Sequence, residues 1–186
     1  MGIDESRDFI PLHIAVITLS DTRTEETDRS GQTLVQLAQK SGHSIVLKQI
    51  IPDDLNGIVE LLKRLCQNPE IDIVLCTGGT GLTDRDVTPE AFQQVVEKDI
   101  PGFGELFRML SYQNIGTSTL QSRATAGMRQ GTFLFALPGS TGACKDAWHF
   151  ILKEQLDIRH RPCNFAELLP RFSGTPQARK QALKQR

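Results

Sequence analysis

The sequence predicts an α/β fold: a three-layer, doubly wound, mostly parallel sheet. Three observations predict it. Short strand-like runs, rich in β-branched residues, occupy Leu12–Leu19, Ser44–Ile51, Ile71–Cys76 and Gly131–Leu137, as expected of strands covered on both faces. Between them lie stretches whose apolar residues recur at helical spacing. Each strand run also ends in a polar or glycine-bearing turn. A β-α-β-α order of this kind implies parallel pairing with right-handed crossovers.

Each element has its own signal. The run LHIAVITL (Leu12–Leu19) is the first strand, and Ser20-Asp21-Thr22-Arg23 opens a charged loop that reaches Asp28. Leu34, Leu37 and Ala38 mark a helix over Ser30–Ser41, stopped by Gly42. The second strand closes at Pro52-Asp53, and Leu55, Ile58, Val59, Leu62 and Leu65 outline the next helix. The third strand runs into Thr77-Gly78-Gly79-Thr80-Gly81. Thr88 as N-cap and Pro89 at the first helical position then open a helix to Glu97. Pro101-Gly102-Phe103-Gly104 is read as a turn before a helical stretch near Glu105–Leu110. The small, polar segment Gly116–Arg129 is expected to carry a short helix. The fourth strand stops at Pro138-Gly139-Ser140, ahead of a long helix over Thr141–Leu156.

The chain has 186 residues, 39% of them apolar, and a net charge of −1. That fits one domain able to bury a core. We expect the domain at 12–172, an extension at 1–11 and a mobile basic tail at 173–186, where large apolar residues are scarce. A balanced charge gives no reason to invoke nucleic acid or a membrane surface. No run approaches the ~20 apolar residues of a membrane span, and the opening MGIDESRDFIP is acidic without a signal core. Four cysteines without a C-x-x-C pair and four scattered histidines exclude a zinc-finger or dithiol reading. Cys66 and Cys76 are read as small core residues. The expected compartment is the cytoplasm.

Parallel strands end on one side of a sheet, so four turns meet at one edge, where α/β folds bind ligands. Glycines at Gly78, Gly79 and Gly81 let backbone N–H groups approach an anion. The turn is not a Walker A loop, since no Gly-Lys-Ser/Thr follows. The acidic hook Asp84-Arg85-Asp86 lies beside it. Asp86 alone also reads as a loop acid pairing with Arg85, or as a cap for the next helix. Asp53, arriving from the neighbouring strand with Asp54 as the likelier helix cap, supplies a second carboxylate. Two acids beside an amide nest suit Mg²⁺ shared with phosphate oxygens. The phosphate-side set is Ser20, Arg23, Gly78, Gly79, Thr80 and Gly81, with Arg23 as well placed to pair with Glu25 or Glu26.

At these residues the chain resembles the MoaB/Mog family of molybdenum cofactor biosynthesis proteins, related to the gephyrin G domain. The resemblance rests on SDTR at Ser20–Arg23, TGGTGLTDRDVTPEA at Thr77–Ala91, PGFGELFRMLS at Pro101–Ser111, TSTLQSRA at Thr117–Ala124 and PGST at Pro138–Thr141. RPCNF at Arg161–Phe165 is similar to the MoaB branch. The resemblance implies a molybdopterin-binding fold that adenylylates molybdopterin with MgATP and releases pyrophosphate. It implies catalytic and metal-holding roles for Asp53 and Asp86. The implied pterin side is Ser111, Ser122, Arg123, Pro138, Gly139 and Ser140, with a helix cap as the other reading of Ser122. It further implies a homotrimer or a hexamer of paired trimers, for which Phe103, Leu106, Phe107, Phe165, Leu168 and Leu169 offer apolar surface, and a place among other proteins of the same pathway. The alternative is a molybdopterin carrier without chemistry.

Overall fold

The computed structural model describes residues 2–171; the predicted basic tail lies outside them. A six-stranded sheet forms the middle layer. Its strands are β2 (His13–Leu19), β3 (Ser44–Ile51), β4 (Ile73–Thr77), β5 (Lys98–Asp99), β6 (Thr125–Arg129) and β7 (Thr132–Leu137), ordered β3-β2-β4-β7-β6-β5. The first four in that order are parallel, β6 pairs antiparallel with β7, and β5 pairs antiparallel with β6. A separate two-stranded ladder joins β1 (Gly2–Ile3) to β8 (His160–Arg161).

Successive side chains of a strand point to opposite faces, and here the two faces feed two cores. Ile14, Val16, Leu75, Phe133 and Phe135 pack with Leu34, Ala38, Phe103, Phe107 and Trp148. Those partners come from α1 (Arg29–Lys40), α4 (Pro101–Ile115) and the helical run that begins with α5 (Thr141–Ala147). Ala15, Ile17, Val74, Cys76 and Leu134 instead meet Ile58, Leu62, Phe92 and Val95. These belong to α2 (Leu55–Gln67) and α3 (Thr88–Val95). Every residue of β4 and β7 is buried, which accounts for their unbroken apolar sequence. Edge strand β3 alternates at its start, where Ser44 and Val46 are exposed.

Several elements depart from the sequence reading. Pro101-Gly102-Phe103-Gly104 is the first turn of α4, where proline's missing N–H costs nothing. The Gly116–Arg129 segment holds a 3₁₀ turn at Gly116–Gln121 and then β6, a strand that its sequence TAGMR does not announce. Gly127 in β6 is needed for close packing, because a Cβ there would lie 2.4 Å from Val96 Cγ1. The helix expected over Thr141–Leu156 passes through a π turn at Trp148–Leu152 before its last turn, α6 (Lys153–Gln155). The apolar residues assigned to an interface are mostly core: Phe103, Phe107 and Leu169 are buried, and Phe165 and Leu168 pack partly buried against them. Only Leu106 of that set is exposed.

The stretch after Asp157, where periodicity fails, is organised by one buried amide. Asn164 donates from Nδ2 to the carbonyls of Ile158 and His160, and its Oδ1 accepts the Glu167 N–H at 2.7 Å. His43, also buried, accepts the Leu12 N–H at Nδ1 (3.2 Å) and lies against Phe9 and Trp148. Cys66, Cys76 and Cys144 are buried free thiols, and burial pushes Cys66 up to about 12 and Cys144 up to about 11. Among the described residues no helix is long and apolar enough to cross a membrane.

Phe135 touches Phe103 and Phe165 and is wholly buried in the first core. Phe135→Ala should cost about 3–5 kcal/mol. Urea unfolding would show this as a lower midpoint with an unchanged slope.

Candidate functional site

The site is built from strand ends, and its first requirement is the absence of Cβ atoms. Gly78 has φ +113°, and a Cβ there would sit 2.1 Å from the carbonyl oxygen of Leu19, at the end of β2. Gly79 has φ +61°, and its Cβ would lie 2.5 Å from Thr88 Oγ1 and 2.9 Å from Asp53 Oδ1. Such φ values are readily open only to glycine. The turn can therefore lie on the end of β2 while Asp53 and Thr88 close in behind it.

Hydrogen bonds then fix the turn from three sides. The Gly78 N–H donates to the Leu137 carbonyl (3.0 Å), tying the turn to the end of β7. Thr88 does not cap α3 with its hydroxyl; the cap position falls on Val87. Instead, Thr88 Oγ1 donates to the Gly78 carbonyl and the Thr88 N–H to the Gly79 carbonyl. The Thr80 carbonyl accepts the Arg123 N–H. The N–H groups of Gly79 and Thr80 have no acceptor among the described residues, so the nest expected over four residues reduces to these two donors plus Gly81, whose N–H bonds the Asp86 carboxylate.

The two acids sit in contrasting surroundings. Asp86 accepts the N–H and the hydroxyl of Thr83 at Oδ2 (2.9 and 2.7 Å). Burial pushes its carboxyl up, but Thr83, the Gly81 N–H and the charge of Arg123 together hold it below the usual carboxylate range. Asp53 Oδ1 is shut off from solvent and has no hydrogen-bond partner among the described residues. Burial first, and then the charge of Asp86, raise the Asp53 carboxyl above its ordinary value. Asp54 caps α2 by accepting the Gly57 N–H at 2.6 Å. Arg85 pairs with Asp21, whose Oδ1 also accepts the Asp53 N–H. Arg85 is thereby turned away from Asp86.

The turn and Asp86 form one wall of a cleft of about 710 Å³. Ser111, Ser122, Pro138, Gly139 and Ser140 line the same cleft, which brings these five together with Asp86 and the glycine turn. Ser111 is buried. Ser122 Oγ accepts the Ala124 N–H, and Ser140 caps α5 by accepting from Ala143. Ser20 and Arg23 line a neighbouring cleft of about 520 Å³ with Pro52. Asp53 stands between the two clefts, following Pro52 and facing Gly79. Ser20 Oγ accepts the N–H groups of Thr22 and Arg23, and no ion pair joins Arg23 to Glu25 or Glu26 among the described residues. Arg123 lines neither cleft; its guanidinium faces the loop, bonding the carbonyls of Gly81 and Asp86. The sequence reading missed Asn114 and Asp146, which meet at 3.1 Å across the far wall. Both lie on helices with no motif around them, and only the packing of α4 beside α5 unites them.

A family model described as a probable molybdopterin binding domain matches residues 15–158. Molybdenum cofactor biosynthesis protein B of Escherichia coli K12 is 49% identical over 160 residues, covering 86% of this chain and 94% of the relative. The chain belongs to the MoaB/Mog family of molybdenum cofactor biosynthesis proteins. The protein of the same name from Bacillus subtilis is 42% identical over 159 residues, covering 84% and 94% of the two chains. A crystal structure of a Molybdenum cofactor biosynthesis protein B superposes with a TM-score of 0.78 at 41% identity, over 81% of this chain and 94% of that one. Family membership carries a role in molybdenum cofactor biosynthesis.

The raised carboxyl of Asp53 carries a prediction about stability. An acid whose folded pKa is raised holds its proton more tightly when folded, so its charge destabilises the native state above that pKa. Asp53→Asn should therefore raise the melting temperature at pH 7. The gain should shrink as the pH falls through the carboxylate range. Calorimetry of both proteins without added divalent metal, from pH 7 to pH 4, measures it.

Proposed function

We propose that the protein transfers AMP from ATP to the terminal phosphate of molybdopterin, releasing pyrophosphate. The observation that carries this reading is the unpartnered, shielded Asp53 Oδ1 behind Gly79, within reach of the charge of Asp86, while Asp86 and a turn with two unpaired N–H groups form the wall of a cleft. A shielded carboxylate oxygen without a partner is costly, and a divalent cation would relieve that cost. Among the described residues no three of His, Cys, Asp and Glu gather as a metal cluster. A cation here would rest on Asp53 and Asp86, with the substrates' phosphates completing its shell, which is the habit of Mg²⁺. The donor set fits. When bound, Mg²⁺ would supply charge neutralisation at the transferring phosphate.

The chain's own groups do the positioning. The Gly79 and Thr80 N–H groups would hold phosphate oxygens of the nucleotide, and Ser20 and Arg23, across Pro52, would take its outer phosphates. Ser111, Ser122 and Ser140 offer hydroxyls on the pterin side, over a floor that includes Phe107 and Pro138. Transfer of this kind needs alignment and charge compensation more than covalent help. Asp86, held ionised by Thr83, is the standing negative charge. Asp53, crowded and short of donors, is the carboxylate whose charge a bound cation would relieve.

We also read the protein as a homo-oligomer, a trimer or hexamer, working with other proteins of the pathway in the cytoplasm. The four free thiols agree with a reducing compartment. Leu106, Met109, Tyr112 and Ile115 form an exposed stripe along α4, at the three-residue spacing of one helix face. Exposed apolar stripes of this kind mark interfaces. Light scattering at micromolar concentration should give a multiple of the 20.7 kDa chain mass; a single-chain mass would sink the oligomer.

The functional test is single-turnover AMP transfer to molybdopterin across a Mg²⁺ titration. Asp86→Asn should lower the rate at least about a hundredfold, since ~1.4 kcal/mol is worth tenfold, and should leave molybdopterin binding intact. Transfer at the parental rate would overturn the two-acid mechanism. No transfer by the parent itself would make the protein a carrier.

A further inference from the structure

We propose that Arg123 and Glu90 form a clamp that sets the shape of the Gly81–Asp86 loop, acting as a positioning pair and not as substrate ligands. Arg123 donates from Nε to the Gly81 carbonyl (2.7 Å) and from Nη2 to the Asp86 carbonyl (2.6 Å). One rigid guanidinium thus joins both ends of the acidic loop. Its third side, Nη1, pairs with Glu90 of α3. The main-chain N–H of Arg123 donates to the Thr80 carbonyl, so the same residue also holds the glycine turn.

The backbone that carries this side chain is itself held from behind. Arg108 Nη1 donates to the carbonyls of Ser122 and Ala124, on either side of Arg123, and β6 begins at Thr125. A planar fork of fixed donors fixes the separation of its acceptors, which a lysine ammonium cannot do. Here that separation is the span between Gly81 and Asp86, and hence the placing of the Asp86 carboxylate whose charge Asp53 feels. Glu90 has a further stake, because its Oε2 is shielded without a partner. Without Arg123, an unbalanced carboxylate would stand next to Asp86.

The catalytic consequence rests on the AMP-transfer reading; the effect on the loop does not. The test compares the full-length parent with Arg123→Lys, Arg123→Ala and Glu90→Gln by three measurements. These are hydrogen exchange of the 81–86 amides, binding of Mn²⁺ alone followed by electron paramagnetic resonance, and kcat and KM for AMP transfer. Partners that orient metal-holding groups are worth about 10–100-fold in affinity or activity. Arg123→Lys and Glu90→Gln should therefore speed exchange at 81–86, weaken Mn²⁺ by at least about tenfold and lower kcat with KM for molybdopterin unchanged. Added methylguanidinium should partly restore Arg123→Ala. A raised KM with unchanged Mn²⁺ binding and exchange would make Arg123 a substrate ligand and overturn the clamp. So would accelerated exchange across the whole fold in both Arg123→Lys and Glu90→Gln, which is the mark of a general brace. If the parent transfers no AMP, the functional reading falls, while exchange and Mn²⁺ binding still decide the clamp.

Discussion

The close approach of the Gly78–Gly79 turn to the end of β2 is the contact on which the open edge of the sheet depends. A side chain at Gly78 would overlap the Leu19 carbonyl, and one at Gly79 would occupy the space of Thr88 Oγ1 and Asp53 Oδ1. Backbone can therefore pack on backbone where three strands finish together. β2, β4 and β7 are in register there, Thr18 beside Thr77 and Thr77 beside Leu137. Thr77 extends the arrangement, donating from Oγ1 to the Pro138 carbonyl at 3.0 Å. The cleft wall is thus continuous with the sheet, and its groups inherit the sheet's rigidity.

On that base the two acids are placed in opposite states. Asp86 is surrounded by donors and keeps its charge easily; Asp53 is crowded, short of donors and close to a like charge. An arrangement that stored this repulsion for no purpose would be costly. Strain and unmet polar groups concentrate at functional sites, where a ligand relieves them. The neighbouring Arg85 guanidinium is taken up by Asp21.

Much of this was legible because short-range rules and fold geometry agreed. Four strands, their turns and the carboxyl-edge location follow from apolar runs and from the way parallel strands end together. Asp53 and Asp86 could be paired before any coordinates, since parallel strands end at one edge, although β3 and β4 flank β2 and are not neighbours as the sequence reading had them. The antiparallel strand β6 was not legible, because TAGMR lacks an apolar run and is held by β7 and α4 rather than by its own propensity. Arg123 was placed on the pterin side for the same reason. A sequence shows an arginine after a serine, but not the two carbonyls that β6 brings within its reach. Phe103 and Phe107 were assigned to a surface because α4 was started four residues late, which hid the face it turns to the core.

His43 gives the fold a lower limit in acid. Its Nδ1 is an acceptor for the Leu12 N–H, so the ring must be neutral, and burial lowers its pKa from 6.5 to about 4 against the partial opposition of Asp157. The unfolded chain takes up that proton near pH 6.5, whereas the folded chain resists until about pH 4. Across that window each unit of acidification favours unfolding by at most roughly 1.4 kcal/mol. Protonation would also remove the acceptor that anchors the chain at the start of β2. The far end of the strand that supports the glycine turn is therefore the acid-labile end.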